Sequence, residues 1–245
     1  MKLYIIRIKG NEYSEKAAKR CLDSIVKFYP ESGFTEEDVY FNAITPHDNP
    51  EKILKRYGIK TLKHFIEPYS RWQNVLAAFT SHFSIWKKIL EDQKPGIIFE
   101  HDAVLVDNLP VTTVKKYLNN GPNSPYRIKL KPHYMLGDIV NIGHPSYGKW
   151  NTPPNFGINP LTSKRYFPGA HAYYVTPNGA KMLIKTAIER AGPTDVFIHL
   201  DRFPNLQEWY PYSAIARDNF STIQNETGCQ AKHGYVKERY KLVKV

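Results

Sequence analysis

Residues 95–106 read PGIIFEHDAVLV, and they place two carboxylates inside an otherwise apolar segment. One apolar run lies between the Pro-Gly break and Glu100, and a second follows Asp102. This is the pattern of a buried strand. Because side chains alternate along a strand, we predict Glu100 and Asp102 on one side and His101 on the other. Ionised carboxylates persist in such a place only opposite Arg, Lys or a metal ion, and this pair suits a hard divalent cation that carries phosphates. The alternative is a strand that ends in a polar loop with solvated carboxylates.

The composition fits a single domain that covers residues 1–245. With 42% apolar residues, a chain of 245 residues can bury a full core. The formal net charge of +11 attracts an anionic partner or a membrane surface through the field of the whole molecule. Two cysteines are too few for a disulfide framework, and the sequence contains neither a signal peptide nor an apolar run of membrane-spanning length. We therefore expect a cytoplasmic location and no transmembrane segment.

Strand and helix patterns alternate along the first part of the chain. Residues 3–8 and 39–44 predict strands, and a helix with Ser14 as its N-cap is predicted between them. Residues 50–57 and 73–90 predict two further helices before the acidic strand. This order predicts an α/β fold with a mostly parallel central sheet and flanking helices. Later in the chain we predict helices at 109–118 and 177–188, strands at 126–130 and 169–176, and an aperiodic segment at 131–168 that covers the site.

Four pieces of sequence follow one another in a set order. They are SHFSIWK at 81–87, the acidic strand at 97–105, GAHAYYVTPNGA at 169–180 and PTD at 193–195. Taken together they resemble glycosyltransferase family 25, the group that includes bacterial lipooligosaccharide galactosyltransferases and collagen galactosyltransferases. Two positions depart from that family. His101 stands where the usual triplet Glu-Asp-Asp has its middle residue, and the first strand ends in RIKG at 7–10 rather than in an Asn-Leu-Asp-Arg-like turn.

The resemblance implies a GT-A type nucleotide-binding fold and a metal-dependent glycosyltransferase, specifically a hexosyltransferase. Such an enzyme moves a sugar from a UDP-sugar to an acceptor hydroxyl, and we expect inversion, with Mn²⁺ or Mg²⁺ on the donor diphosphate. Asp195 matches the family's Pro-x-Asp position and is the candidate catalytic base, with Asp201 or Asp138 as substitutes. The predicted metal ligands are Asp102, Glu100 and His199, and the predicted donor-binding residues are Arg7, Ser81, His82, Glu100, Gly169 and His171.

Other interpretations of these residues stay open. Asp195 follows a Gly-Pro break and also suits a helix cap, and a histidine such as His82 in a mostly buried helix is more often a core residue. The predicted acceptor is a lipopolysaccharide-type glycan, while the basic charge also allows hydroxymethylated bases in DNA. A non-catalytic carbohydrate- or nucleic-acid-binding protein on the same scaffold is the remaining alternative.

Overall fold

The computed structural model describes residues 1–60, 62–67, 70–109, 136–145, 156–217, 220–225 and 241–245. Its α-helices are α1 (Glu12–Phe28), α2 (Glu36–Val39), α3 (Pro50–Lys55), α4 (Trp72–Asp92), α5 (Pro177–Arg190) and α6 (Thr194–Phe197). Single 3₁₀ turns lie at Pro30–Ser32, Pro46–Asp48 and Leu62–Phe65. Its strands are β1 (Lys2–Arg7), β2 (Tyr40–Asn42), β3 (Gly96–Glu100), β4 (Ala103–Leu105), β5 (Ile139–Asn141), β6 (Gly157–Pro160), β7 (Ala172–Val175), β8 (Gln207–Tyr210), β9 (Ala214–Ala216), β10 (Phe220–Ser221) and β11 (Lys241–Leu242).

A seven-stranded sheet in the order β2-β1-β3-β7-β5-β8-β6 forms the centre of the described chain. The strands β2, β1 and β3 run parallel, as do β5 and β8, and the remaining pairings are antiparallel. The α/β class with flanking helices is therefore confirmed, whereas the prediction of a mostly parallel sheet is wrong. An apolar run predicts that a strand is buried but not which way it points. The strand-helix alternation that does indicate direction extends only over the first three strands of this sheet.

Helix α1 covers one face of the sheet and packs against β1 and β4. Its apolar stripe includes Ala18, Cys21 and Ile25, which are fully buried. The predicted N-cap at Ser14 is wrong, because the helix begins at Glu12 and the side chain of Asn11 accepts a hydrogen bond from the backbone N–H of Ser14. The hydroxyl of Ser14 instead accepts from the N–H of Ile8 at 2.8 Å. Ser14 thus ties the first turn of α1 to the end of β1.

Helix α4 covers the opposite face and supports an aromatic core. Trp86 and Phe79 on this helix are fully buried and contact Phe197 of α6, whose ring lies 5.7 Å from Trp86 and 5.4 Å from Phe79 between centroids. Helices α3 and α5 pack along its sides. The helix predicted at 73–90 is confirmed and is extended at both ends. Helix α4 runs antiparallel to β3, and it is long enough that its middle, at His82, lies beside the end of that strand at Glu100.

Several other predictions have a mixed outcome. The acidic strand is interrupted, because a turn at residues 101–102 separates β3 from β4. Inside the segment predicted to be aperiodic, Ile139–Asn141 and Gly157–Pro160 form strands of the central sheet. The helix predicted at 109–118 and the strand predicted at 126–130 lie almost wholly outside the described residues. Within the part that the structure describes, no helix combines the length and the apolar character needed to cross a membrane.

Candidate functional site

The carboxyl ends of β2, β1 and β3 meet at one edge of the sheet, as the register of their parallel pairing requires. Strand β7 runs antiparallel to β3, so its first residues reach the same edge. There the backbone N–H of Glu100 donates to the backbone oxygen of His171 at 2.8 Å. The edge therefore brings together Glu100 and His171, two of the predicted site residues, through a main-chain hydrogen bond.

A chain of buried hydrogen bonds leads from α4 to the carboxylate of Glu100. Trp86 Nε1–H donates to the hydroxyl of Tyr173 at 2.9 Å, and this hydroxyl lies 2.8 Å from Nδ1 of His82. Nε2 of His82 in turn lies 3.1 Å from Oε1 of Glu100. Because Trp86 is only a donor, the Tyr173 hydroxyl donates its own proton to Nδ1, which leaves the remaining imidazole proton on Nε2. His82 therefore donates to Glu100 as a neutral imidazole.

Burial shifts the pKa of His82 and that of Asp195. It lowers the pKa of His82 to about 3, although the negative charge of Asp195 acts in the opposite direction. Burial also raises the pKa of Asp195, and the charge of Glu67 raises it further, whereas the N–H of Val196 donates to its Oδ1 and opposes this shift. The mutual influence of His82 and Asp195 places the predicted base within electrostatic reach of the hydrogen-bond chain. Asp195 thus lies in the same region as Glu100, on the short helix α6.

Asp102 lies in the turn after β3. The turn ends the regular alternation of side chains, so the prediction that Asp102 shares a side with Glu100 does not hold as argued. Asp102 lies near enough to α1 for its charge, together with the larger effect of burial, to raise the pKa of the Cys21 thiol. Its Oδ1 is buried and has no hydrogen-bond partner among the described residues. A buried carboxylate oxygen without a donor is costly, and it fits a site for a cation or another donor that the chain itself does not supply.

Arg217 lies directly opposite Asp102. Its N–H donates to the backbone oxygen of Asp102 at 2.9 Å and continues the antiparallel pairing of β4 with β9. The side chain of Arg217 is exposed, and its backbone oxygen accepts from the guanidinium of Arg20 at 2.8 Å. The turn after β3 therefore pairs, through the main chain, an exposed arginine with an aspartate that has one buried carboxylate oxygen.

His101 points to the α1 side of the sheet, away from Glu100, as predicted. Its Nδ1 lies 3.0 Å from the hydroxyl of Ser14, and its ring stacks on Phe220 with 5.2 Å between centroids. His101, which stands where the resembling family has an acidic residue, thus provides a packing contact to β10. It does not remove a carboxylate from the side that faces α4.

His171 is held tightly by the glycines around it. A Cβ atom at Gly143 would lie 2.5 Å from Nε2 of His171, closer than such atoms approach in proteins. Asn141 shapes the turn that makes this approach possible, because its amide accepts from the N–H of Gly143 and donates to its backbone oxygen. Gly169 and Ala170 have φ angles of 74° and 47°, a backbone conformation that favours glycine. The predicted residues Gly169 and His171 thus form one tight loop at the edge of the sheet.

Two of the predicted donor-binding residues have other contacts. Ser81 is fully buried, and its hydroxyl accepts from the N–H of Ile44 and donates to the backbone oxygen of Ala77. Arg7 lies at the end of β1, where its guanidinium carbon is 4.6 Å from the centroid of the Tyr40 ring. Direct contact of Ser81 or Arg7 with a donor stays a prediction. The structure shows that Ser81 anchors the loop that follows β2.

The predicted metal trio is not assembled by the described chain. Among the residues that the structure describes, no three His, Cys, Asp or Glu side chains gather into a group able to hold a metal ion. His199 follows α6, where its ring stacks on Tyr166 and its Nδ1 accepts from the N–H of Asp201 at 3.0 Å. Asp102 and Glu100 remain predicted ligands. They suit the kind of site in which one or two carboxylates share the cation with substrate phosphates.

The two substitute bases differ in position. Asp138 precedes β5 and accepts hydrogen bonds from the side chains of Thr176 and Asn178, at the edge of the sheet opposite Glu100. Asp138 is therefore excluded as a base for chemistry at the acidic edge. Asp201 forms an ion pair with Arg165 on the surface.

Sequence reasoning missed Tyr173, Trp86, Arg217 and Glu208. The first two fall in motifs that were recognised, but an aromatic residue in an apolar run does not show that its polar atom is used. Glu208 is fully buried on β8 and accepts from Thr162 and Ser163, which fixes the loop after β6. The segment QEWY at 207–210 offers a weak signal, because Glu208 directly precedes two aromatic residues.

Comparison with known proteins identifies one family. A model of glycosyltransferase family 25, described as LPS biosynthesis protein, matches residues 35–198, roughly two thirds of the chain. The matched part contains α4, the acidic turn, β7 and α6, and therefore every residue of the hydrogen-bond chain. No curated protein matches the sequence.

Proposed function

Because this chain belongs to glycosyltransferase family 25, we propose that it moves a sugar from a UDP-sugar to a hydroxyl group of a lipopolysaccharide-type glycan. The observation that carries this proposal is the arrangement at the end of β3. A neutral His82 donates to Glu100, and two residues further on Asp102 has a buried oxygen that no described group satisfies. This arrangement fits a glycosyltransferase of the GT-A type, in which such an edge of the sheet binds the donor diphosphate.

In the proposed donor complex, the residues of the acidic turn hold the diphosphate. Asp102 and Glu100 would ligate Mn²⁺ or Mg²⁺, which when bound neutralises charge on the leaving diphosphate. His82 holds one oxygen of Glu100 by its hydrogen bond and thereby orients the carboxylate at the edge where the donor would bind. Arg217, exposed beside Asp102, is suited to contact a phosphate oxygen through its guanidinium.

The acceptor hydroxyl needs a base if the reaction proceeds with inversion. Asp195 is our candidate because its pKa is raised by burial and because it lies within electrostatic reach of His82. A carboxylate with a raised pKa binds a proton more strongly than an exposed one, which favours proton transfer from an alcohol. The family description names LPS biosynthesis, and for that reason we propose a glycan rather than DNA as the acceptor.

The proposal is tested by calorimetric titration with UDP in the presence of Mn²⁺ and again with excess EDTA. We expect binding that requires the cation and is lost in Asp102→Asn, because amide oxygen cannot replace the charge of the carboxylate. Asp107→Asn, five residues further along, is the matched control and should bind as the native protein does. UDP affinity that is equal in EDTA and in Mn²⁺ would rule out the metal assignment.

The donor sugar and the reaction are tested separately. The folded protein is heated with a panel of nucleotide sugars and Mn²⁺, because a ligand that binds only the folded state raises Tm. The sugar that gives the largest shift is then incubated with the enzyme, and release of UDP is measured. If no nucleotide sugar raises Tm and none is hydrolysed or transferred, the proposed activity is wrong.

A further inference from the structure

A groove of about 490 Å³ lies at the same edge of the sheet and takes no part in the mechanism proposed above. It is formed by the loop after β2 and by α3, and its lining includes Ile44, His47, Asp48, Lys52 and Arg56. We call it the α3 groove.

The α3 groove is attached to the helix that carries His82. The N–H of Ile44 donates to the hydroxyl of Ser81 at 2.8 Å, and Ser81 is the neighbour of His82 on α4. In the sheet, β1 alone separates β2 from β3, and neighbouring strands lie about 4.8 Å apart. The start of the groove is therefore on the order of 10 Å from the end of β3, a separation that one disaccharide can bridge.

The charges on α3 are distributed unevenly. Glu51 and Lys55 form an ion pair at 2.7 Å, one helical turn apart. Lys52 and Arg56 have the same spacing, but both are positive, and neither has a carboxylate partner among the described residues. Like charges at this spacing cost a helix a few tenths of a kcal/mol. The helix thus has a neutralised pair on one face and an uncompensated positive pair facing the groove.

Asp48 is the acidic residue of the lining, and among the ion pairs of the described residues it has none with Lys52 or Arg56, so two positive charges face one negative charge there. One of its oxygens accepts from both the N–H and the hydroxyl of Thr45, and these hydrogen bonds lower its pKa. Asp48 is thereby committed to the turn at Pro46–Asp48. His47, also exposed, adds a further donor to the lining.

We propose that the α3 groove binds an anionic group, a phosphate or a carboxylate, on the sugar acceptor. This inference rests on the proposed glycosyl transfer and narrows its acceptor to an acidic glycan. Lys52 and Arg56 bind the anion, and the residues around His82 and Asp195 then receive the hydroxyl that accepts the sugar. The diphosphate of the donor is also an anionic group that Lys52 and Arg56 could bind. The experiment must therefore distinguish an anion on the acceptor from the diphosphate of the donor.

The test uses the full chain and two probes, glucose 6-phosphate and UDP with Mn²⁺. Binding of glucose 6-phosphate is followed by two-dimensional ¹H–¹⁵N spectra, and we expect the signals of residues 44–56 to shift while unphosphorylated glucose leaves them in place. Lys52→Gln/Arg56→Gln should weaken glucose 6-phosphate binding roughly tenfold or more, which corresponds to about 1.4 kcal/mol. UDP affinity should stay unchanged.

Lys55→Gln is the matched control, since it removes a charge from the same helix that already has a partner. It should leave the affinity for glucose 6-phosphate as it is in the native protein. Glutamine is a good helix former, and the double variant also loses a repulsive pair of like charges. We therefore expect its Tm to be at least as high as that of the native protein. The inference is overturned if the double variant binds glucose 6-phosphate as the native chain does. It is also overturned if UDP affinity falls in parallel, because the groove would then belong to the donor.

Both binding measurements are independent of turnover. If the proposed sugar transfer fails, the measured anion binding stands but its assignment to a sugar acceptor falls. If the anion binding fails, the proposed reaction is unaffected.

Discussion

Nε2 of His82 lies 3.1 Å from Oε1 of Glu100 and joins the middle of α4 to the last residue of β3. The contact is a hydrogen bond from a neutral ring, because burial lowers the pKa of His82 to about 3. It requires the proton on Nε2, and this tautomer leaves Nδ1 to accept from the hydroxyl of Tyr173 at the other side of the ring. The hydroxyl of Tyr173 thus supports, through His82, the hydrogen bond that holds the carboxylate of Glu100.

Tyr173→Phe should test this dependence. Without the hydroxyl, both Trp86 Nε1–H and His82 Nδ1 lose a buried partner, which should cost about 1–3 kcal/mol of unfolding free energy for each unsatisfied group. The ring of His82 also loses one of the two hydrogen bonds that fix its tautomer and orientation, so we expect a lower kcat as well as a lower Tm. The measurements are urea unfolding and turnover with the donor found in the nucleotide-sugar screen.

Tyr174→Phe is the control for that variant. Tyr174 is the next residue of β7, is buried to a similar extent and points into the core on the α1 side. Its replacement should leave kcat close to the native value. If Tyr173→Phe and Tyr174→Phe behave alike in both measurements, the tautomer argument is incorrect.

Acid should destabilise the protein through His82. An unfolded histidine has a pKa near 6.5, whereas the folded value is about 3, so the unfolded state binds the proton more tightly. The stability from burying neutral His82 is complete above pH 6.5 and is lost as the pH falls toward 3. Linkage gives about 1.4 kcal/mol per pH unit, hence a loss of about 2 kcal/mol between pH 7 and pH 5.

This loss is measured as a difference between two proteins. In His82→Gln the titrating group is absent, so its unfolding free energy should fall by about 2 kcal/mol less over the same interval. The other histidines contribute equally to both proteins and cancel. Equal pH dependence of the two would show that folding does not lower the pKa of His82.

Gly143→Ala should disturb the loop that bears His171. The added Cβ would lie 2.5 Å from Nε2 and 2.8 Å from Cε1 of that ring, so the histidine must move. The backbone oxygen of His171 holds the N–H of Glu100, and a shift there is passed to the carboxylate. We expect a loss of about 1–3 kcal/mol in stability, as for other overpacked sites, together with reduced turnover.

Gly192→Ala provides the comparison, because a Cβ at that position meets its nearest neighbour only at 4.0 Å. It should change Tm and kcat little. A Gly143→Ala protein with native Tm and kcat would mean that His171 has room to move without effect on Glu100.

The sequence predicted the supporting elements of this site better than the contacts within it. Helical spacing from 73 to 90 and the apolar run before Glu100 are local patterns, and both elements are confirmed. The argument from alternating side chains was extended through Asp102, and it failed there because a turn lies at residues 101–102. This turn depends on the pairing of β4 with β9, and β9 lies more than a hundred residues later in the chain. Arg217 reaches Asp102 through the same distant pairing, which no local pattern indicates.

The direction of the strands illustrates the same limit. The segment AYYV of β7 has the composition of a buried strand whichever way it runs. Its antiparallel pairing with β3 is decided by where the chain enters the sheet, and this pairing is what brings His171 to the N–H of Glu100 and Tyr173 to His82. The residues of the motif at 169–180 could be identified from sequence, but their partners could not.

The last prediction concerns Asp195, the proposed base. Burial raises its pKa, so the unfolded state releases this proton more readily than the folded state does. The folded protein therefore bears a cost for ionising Asp195 that is absent below the ordinary pKa and grows as the pH rises above it. Asp195→Asn removes that cost. We expect its Tm to exceed the native value at pH 7, by about 2–4 °C for each kcal/mol gained, and the difference to shrink toward pH 4.

Turnover should move in the opposite direction. Loss of a general base typically lowers the rate by roughly a hundredfold to ten-thousandfold, while UDP and Mn²⁺ binding should persist because neither requires this carboxylate. Asp201→Asn is the control, since Asp201 is exposed and paired with Arg165, and a surface pair contributes about 0–1 kcal/mol. A protein that gains stability, keeps UDP and loses transfer only in Asp195→Asn would identify Asp195 as the base. If Asp195→Asn weakens UDP binding as much as transfer, Asp195 belongs to the donor site, and if Asp201→Asn alone abolishes transfer, the base is Asp201.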